Sequence, residues 1–118
     1  MGEFILTLLH AITNTHILHF RADTDAVHRQ LGEFYTNLSD LVDTLTEVMQ
    51  GRTNKKIDFP VQYYPPADTP IEELMMLRDY VDQERNGPDI PQNTEIQNLI
   101  DEISAQINST INKLENYK

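Results

Sequence analysis

The sequence has no cysteine, and its nine basic side chains face nineteen acidic ones. Without cysteine there are no disulfides, no thiolate catalysis and no structural cysteine-zinc sites, while the redox compartment stays open. A formal charge of −10 opposes accumulation on phosphate backbones or anionic lipid. Arg52, Lys55 and Lys56 come nearest to a basic cluster, and three side chains are too few for a nucleic-acid footprint. No nucleic-acid partner is expected.

Glycine is scarce at four residues, and none belongs to a phosphate-cradling loop. No serine has a nucleophile-elbow setting. Long hydrophobic runs are also missing. The apolar FILTLLHAI is short, follows Glu3 rather than basic residues, and lacks a small-residue cleavage site. Neither secretion nor a membrane partner is expected, so the expected location is cytoplasmic. Leu6 stands where a myristoylation motif needs Ser or Thr. Asn37-Leu38-Ser39 and Asn108-Ser109-Thr110 are chance matches to a glycosylation pattern.

What remains is a chain of 118 residues, 39% apolar, which suits one globular domain over 1–118. Its apolar residues recur at helical spacing in four places. Phe4, Ile5, Leu8, Leu9 and Ile12 predict a helix over about 3–20, and His16 and His19 continue that stripe. Asp23, Thr24 and Asp25 supply capping oxygens for a second helix over about 25–50, whose apolar face runs from Val27 to Met49 and which Gly51 is expected to stop. Such a short connection makes the first two helices antiparallel neighbours.

Residues 51–69 hold prolines and turn formers that forbid a regular helix. Their alternating Ile57, Phe59, Val61 and Tyr63 predict an extended segment with one edge pressed onto the bundle, a brief strand being the weaker option. Thr69-Pro70-Ile71-Glu72 then combines a capping box with proline at the first helical position, opening a helix over about 70–86. The last, over about 94–116, carries a narrow seam from Ile96 to Leu114. Two helices, one long crossover and two more helices are what an all-α, ferritin-like four-helix bundle requires.

On a wheel of about 100° per residue, the second helix has its apolar side opposite Glu33, Asp40 and Thr44. Between those faces lie His28, Gly32, Tyr35, Ser39, Asp43 and Thr46, with Glu47 at the margin. The stripe reads as a second contact surface, with a glycine where another backbone can come close. Antiparallel packing of two copies along it would bring His28 of one chain toward Asp43 and Glu47 of the other, with His16 and His19 across the short turn. Mixed imidazole and carboxylate ligands suit iron(II), manganese or zinc. A structural reading stands beside this one: interior histidines that hydrogen-bond to neighbouring polar groups or pack at a helix end, and an interface network of His28, Asp43 and Glu47 without metal.

The stretch HRQLGEFYTNLSDLVDTLTE, His28 to Glu47, resembles the second helix of the Dps miniferritins, hollow dodecamers that oxidise iron(II) between subunits. His28, Asp43 and Glu47 match that family's helix-two histidine and late acids. For its helix-one histidine, His16 keeps the family's separation, whereas His19-Phe20 is similar to its His-Trp pair and is preferred. Gly32 replaces the intervening acid, which argues against full ferroxidase activity and leaves at most a weak one; no catalytic residue is assigned. The resemblance covers the first fifty residues and implies a homo-oligomer with iron at an intersubunit site. Small ferritin-like proteins of tailed phages share a similar HILHF…H…LGEFY…LVD…E pattern. That likeness implies the alternative: a non-catalytic, phage-encoded bundle that has lost metal chemistry, acts in the host cytoplasm and binds a host or phage protein.

Overall fold

The computed structural model describes residues 1–117. Four helices follow one another: α1 Gly2–Phe20, α2 Asp25–Thr53, α3 Pro70–Glu84 and α4 Thr94–Asn116. Among the described residues there is no strand. A 29-residue helix rises about 43 Å, which sets the 44 Å long axis of the molecule.

The starts of α2 and α3 are chemically similar. Each has an extended threonine N-cap, Thr24 accepting from the Val27 amide and Thr69 from the Glu72 amide, both at 3.2 Å. Pro70 opens α3 where its missing N–H costs nothing. The end of α2 differs from the sequence expectation. Gly51 is helical and exposed, with nothing within 4 Å of the place a Cβ would take, and the helix runs on to Thr53. Asn54 then takes the left-handed conformation at φ 56°, a geometry that asparagine tolerates.

α1 packs on α2 and α3, and α4 packs on the same two. Leu18 near the end of α1, Val27 and Ile71 near the starts of α2 and α3, and Leu114 near the end of α4 line one cavity. Neighbouring helices are therefore antiparallel. The core they enclose includes Ile5, Leu8, Leu31, Phe34, Leu38, Leu45, Leu74, Ile100 and Ile107, none measurably exposed. On α1 the buried line is Phe4, Leu8, Ala11, Thr15 and Leu18. This line is rotated from the stripe expected through Leu9, Ile12 and His16, because small Ala11 and polar Thr15 carry little apolar signal. Thr15 is satisfied inside by the Ala11 carbonyl at 2.7 Å.

The connection between α2 and α3 is held at a few points, not along an alternating edge. Ile57 is buried, and its amide donates to Gln50 Oε1 at 3.1 Å. Phe59, Val61 and Tyr63, expected to share that edge, are exposed, Val61 completely. Further on, Asn14 Nδ2 donates to the Tyr64 carbonyl at 3.1 Å and the Ala67 amide to Glu73 Oε1 at 2.9 Å. The chain also presses on the start of α1: a Cβ at Gly2 would overlap the Asp58 carbonyl.

Candidate functional site: the imidazole cluster at the α1–α2 turn

α1 ends at Phe20 and α2 begins at Asp25, so the last turn of one helix lies beside the first turn of the other. His19 and His28 meet across this hairpin, rings stacked with centroids 3.6 Å apart and planes at 21°. The His28 ring donates from Nδ1 to the His19 carbonyl at 2.9 Å, and the His19 ring donates from Nδ1 to the His28 carbonyl. A carbonyl oxygen only accepts, so Nδ1 carries the proton in both rings. In the neutral form Nε2 is then the lone-pair nitrogen of each.

Space for His19 comes from Gly32, one turn beyond His28. A Cβ at position 32 would lie 3.1 Å from His19 Cε1, tighter than ordinary contact. The residue expected to admit another backbone thus admits a side chain of its own molecule. His16 sits one turn earlier on α1. Its ring stacks on Tyr35 of α2 at 4.1 Å and 19°, and on Phe20 at 4.7 Å and 25°. Phe20 is 73% exposed, so this aromatic stack reaches solvent.

The three candidate histidines therefore share one face of the hairpin, His16 and His19 half-buried and His28 exposed. Asp43 and Glu47 do not join them. They lie 15 and 19 residues beyond His28 on the same helix, about 22 and 28 Å of rise, and both are exposed. Among the described residues no three His, Asp or Glu side chains come close enough to hold a metal ion. Within one chain the cluster offers imidazole nitrogen and aromatic faces. Two of its rings, His19 and His28, are pinned to backbone carbonyls at the facing helix ends.

A second polar group escaped the sequence reading. His10, Asn14 and Glu73 line a cavity between α1 and α3 with Tyr64 and Tyr80. Glu73 is 9% exposed and Asn14 4%. Two polar residues on buried helix positions were the available signal.

The pattern of one family matches residues 19–114, from His19 through nearly all of α4. The chain belongs to DUF5856, a family of unknown function. Comparison with curated proteins and with solved structures finds no match to either. No helix among the described residues is long and apolar enough to cross a membrane.

Proposed function

We propose that this DUF5856 chain is a ferritin-like bundle that works by assembly: a non-catalytic protein that pairs with a second copy along the outer face of the α1–α2 hairpin. The antiparallel arrangement of all neighbouring helices supports the ferritin-like part, in which residues 54–69 serve as the crossover from the far end of α2 to the start of α3. The observation that carries the functional part is the use of the imidazoles. His19 and His28 spend their N–H groups on locking the hairpin, and the stack of Phe20, His16 and Tyr35 presents an aromatic surface beside them.

Self-pairing is favoured by the order of residues on α2. An antiparallel pair centred between Tyr35 and Thr36 sets His28 opposite Asp43 of the other copy, so an imidazole meets a carboxylate. The test is the mass of the intact protein in solution with and without Ser39→Arg, whose long charged side chain would stand in this interface, one turn from its centre. An oligomer that Ser39→Arg dissociates while helicity is kept agrees with the proposal. A monomer at high concentration, or an oligomer indifferent to the change, refutes it.

One observation favours a second reading, iron(II) binding at the same interface. Both rings donate Nδ1–H to carbonyls, the orientation that metal-binding imidazoles commonly have, and each keeps an Nε2 lone pair. The carboxylates would then come from the Asp43 and Glu47 positions of the second copy. Anaerobic iron(II) titration separates the two: near-stoichiometric binding abolished by His28→Ala with Asp43→Ala supports this reading, and negligible metal content supports the first.

A further inference from the structure

On the α3 side of α1, away from the histidine hairpin, α1, α3 and the connection enclose a cavity of about 240 Å³. Its apolar wall includes Ala11 and Leu77, and its polar lining holds the acceptors of Asn14, Glu73 and His10 beside Glu3, Thr7, Tyr64 and Tyr80. Asn14, almost fully buried, gives its Nδ2 to the Tyr64 carbonyl, which leaves Oδ1 to accept. Glu73 receives the Ala67 amide on Oε1, a single bond for a carboxylate with about four lone-pair positions. His10 donates from Nδ1 to the Leu6 carbonyl at 3.0 Å, so its Nε2 is an acceptor too.

No ion pair among the described residues involves Glu73. A carboxylate this deep usually has a cationic partner. Aromatic rings share the lining: the His10 ring lies edge-on to Tyr64 with centroids 5.1 Å apart, and Tyr80 is a further lining residue. Aromatic faces attract cations through the ring quadrupole.

We propose that this cavity binds a small primary alkylammonium ion, its ammonium hydrogens donated to Glu73 and Asn14 and its alkyl chain laid along Ala11 and Leu77. Three donors and one positive charge match the free acceptors of Asn14, Glu73 and His10, the carboxylates of Glu73 and Glu3, and the aromatic faces. The net charge of −10 adds a general attraction for cations, which the test must separate from the site.

The experiment is a nuclear magnetic resonance titration of the full chain with n-pentylamine hydrochloride at fixed ionic strength, against n-pentanol as the uncharged equivalent. The expected result is one saturable site with amide shifts concentrated at Asn14, Tyr64 and Glu73, and no comparable response to pentanol. Glu73→Gln keeps an acceptor for the Ala67 amide and should weaken binding at least tenfold, whereas Glu102→Gln, on exposed α4 surface, should leave it unchanged. Non-saturating shifts spread over acidic surfaces, equal binding by Glu73→Gln, or equal binding of pentanol would each overturn the proposal.

Discussion

His19 and His28 are bound to each other's backbone rather than to each other's side chain, each imidazole donating to the other's carbonyl across the α1–α2 turn. The arrangement ties a carbonyl in the last turn of α1 to the first turn of α2, so it acts as a hairpin fastener. Each bond is partly open to water, which keeps its net worth near the ordinary range of about 0.5–1.5 kcal/mol. His19→Ala and His28→Ala are each expected to lower stability by roughly that amount or a little more, since stacking is lost as well. The double variant should cost less than the sum, because either single change already breaks the stack. Denaturant unfolding of the four proteins checks this, and strict additivity would contradict it.

Gly32 is kept small by the His19 ring. In an exposed helix, alanine in place of glycine gains about 1 kcal/mol. Here the new Cβ meets His19 Cε1 at 3.1 Å and Nδ1 at 3.4 Å. The ring must move, and moving it strains its bond to the His28 carbonyl. Gly32→Ala is therefore expected to show none of the usual gain, whereas Gly51→Ala, in open space on the same helix, should show it in full. Thermal unfolding of the two variants side by side is the measurement. A comparable gain at both positions would mean that the ring is not confined.

Sequence periodicity carries the helices best where apolar residues are dense. α2 and α4 bury long series of leucine, isoleucine and phenylalanine, so their inward faces are readable at sight. α1 is less legible because Ala11, Asn14 and Thr15 lie inside it while Leu9 is 38% exposed. Gly51 misleads because glycine is only a weak helix breaker on an exposed face, and the left-handed Asn54 three residues later does the stopping. At the candidate site, the short turn between α1 and α2 makes the nearness of the histidines foreseeable. Their use of backbone carbonyls was not, since it depends on ring orientation and on the room that Gly32 leaves.

The connection supplies a direct comparison of two apolar residues four positions apart. Ile57 is 8% exposed and joins the core, while Val61 points entirely into solvent. Truncating Ile57 to alanine should cost about 2 kcal/mol, at the low end for a buried isoleucine because it lies at the margin of the core. Val61→Ala should stay within about 0.5 kcal/mol of the parent. If both were silent, the connection would not be seated as described. A large loss at Val61 would place it under a partner surface, which repeating the measurement at several protein concentrations would reveal.

Tyr80 links stability to high pH. Burial is the main cause that holds its hydroxyl above the ordinary value of 10.0; a hydrogen bond with Thr7 acts the other way, and the charges of Glu3 and Glu84, with Tyr64, push it further up. A folded-state pKa above the unfolded one means that the native chain keeps its proton where the unfolded chain has lost it. The resulting contribution is complete below about pH 10, the ordinary tyrosine value, and disappears as pH climbs through the higher native pKa. Tyr80→Phe removes this ionisation without removing the ring that stacks on Phe4 at 6.0 Å. Other tyrosines and the lysines titrate in both proteins, so the difference between the two pH profiles isolates Tyr80. Stability of the parent should fall more steeply than that of Tyr80→Phe above this point, with parallel profiles below it. Profiles that stay parallel throughout would show that the phenol is no harder to ionise in the folded chain than in the unfolded one.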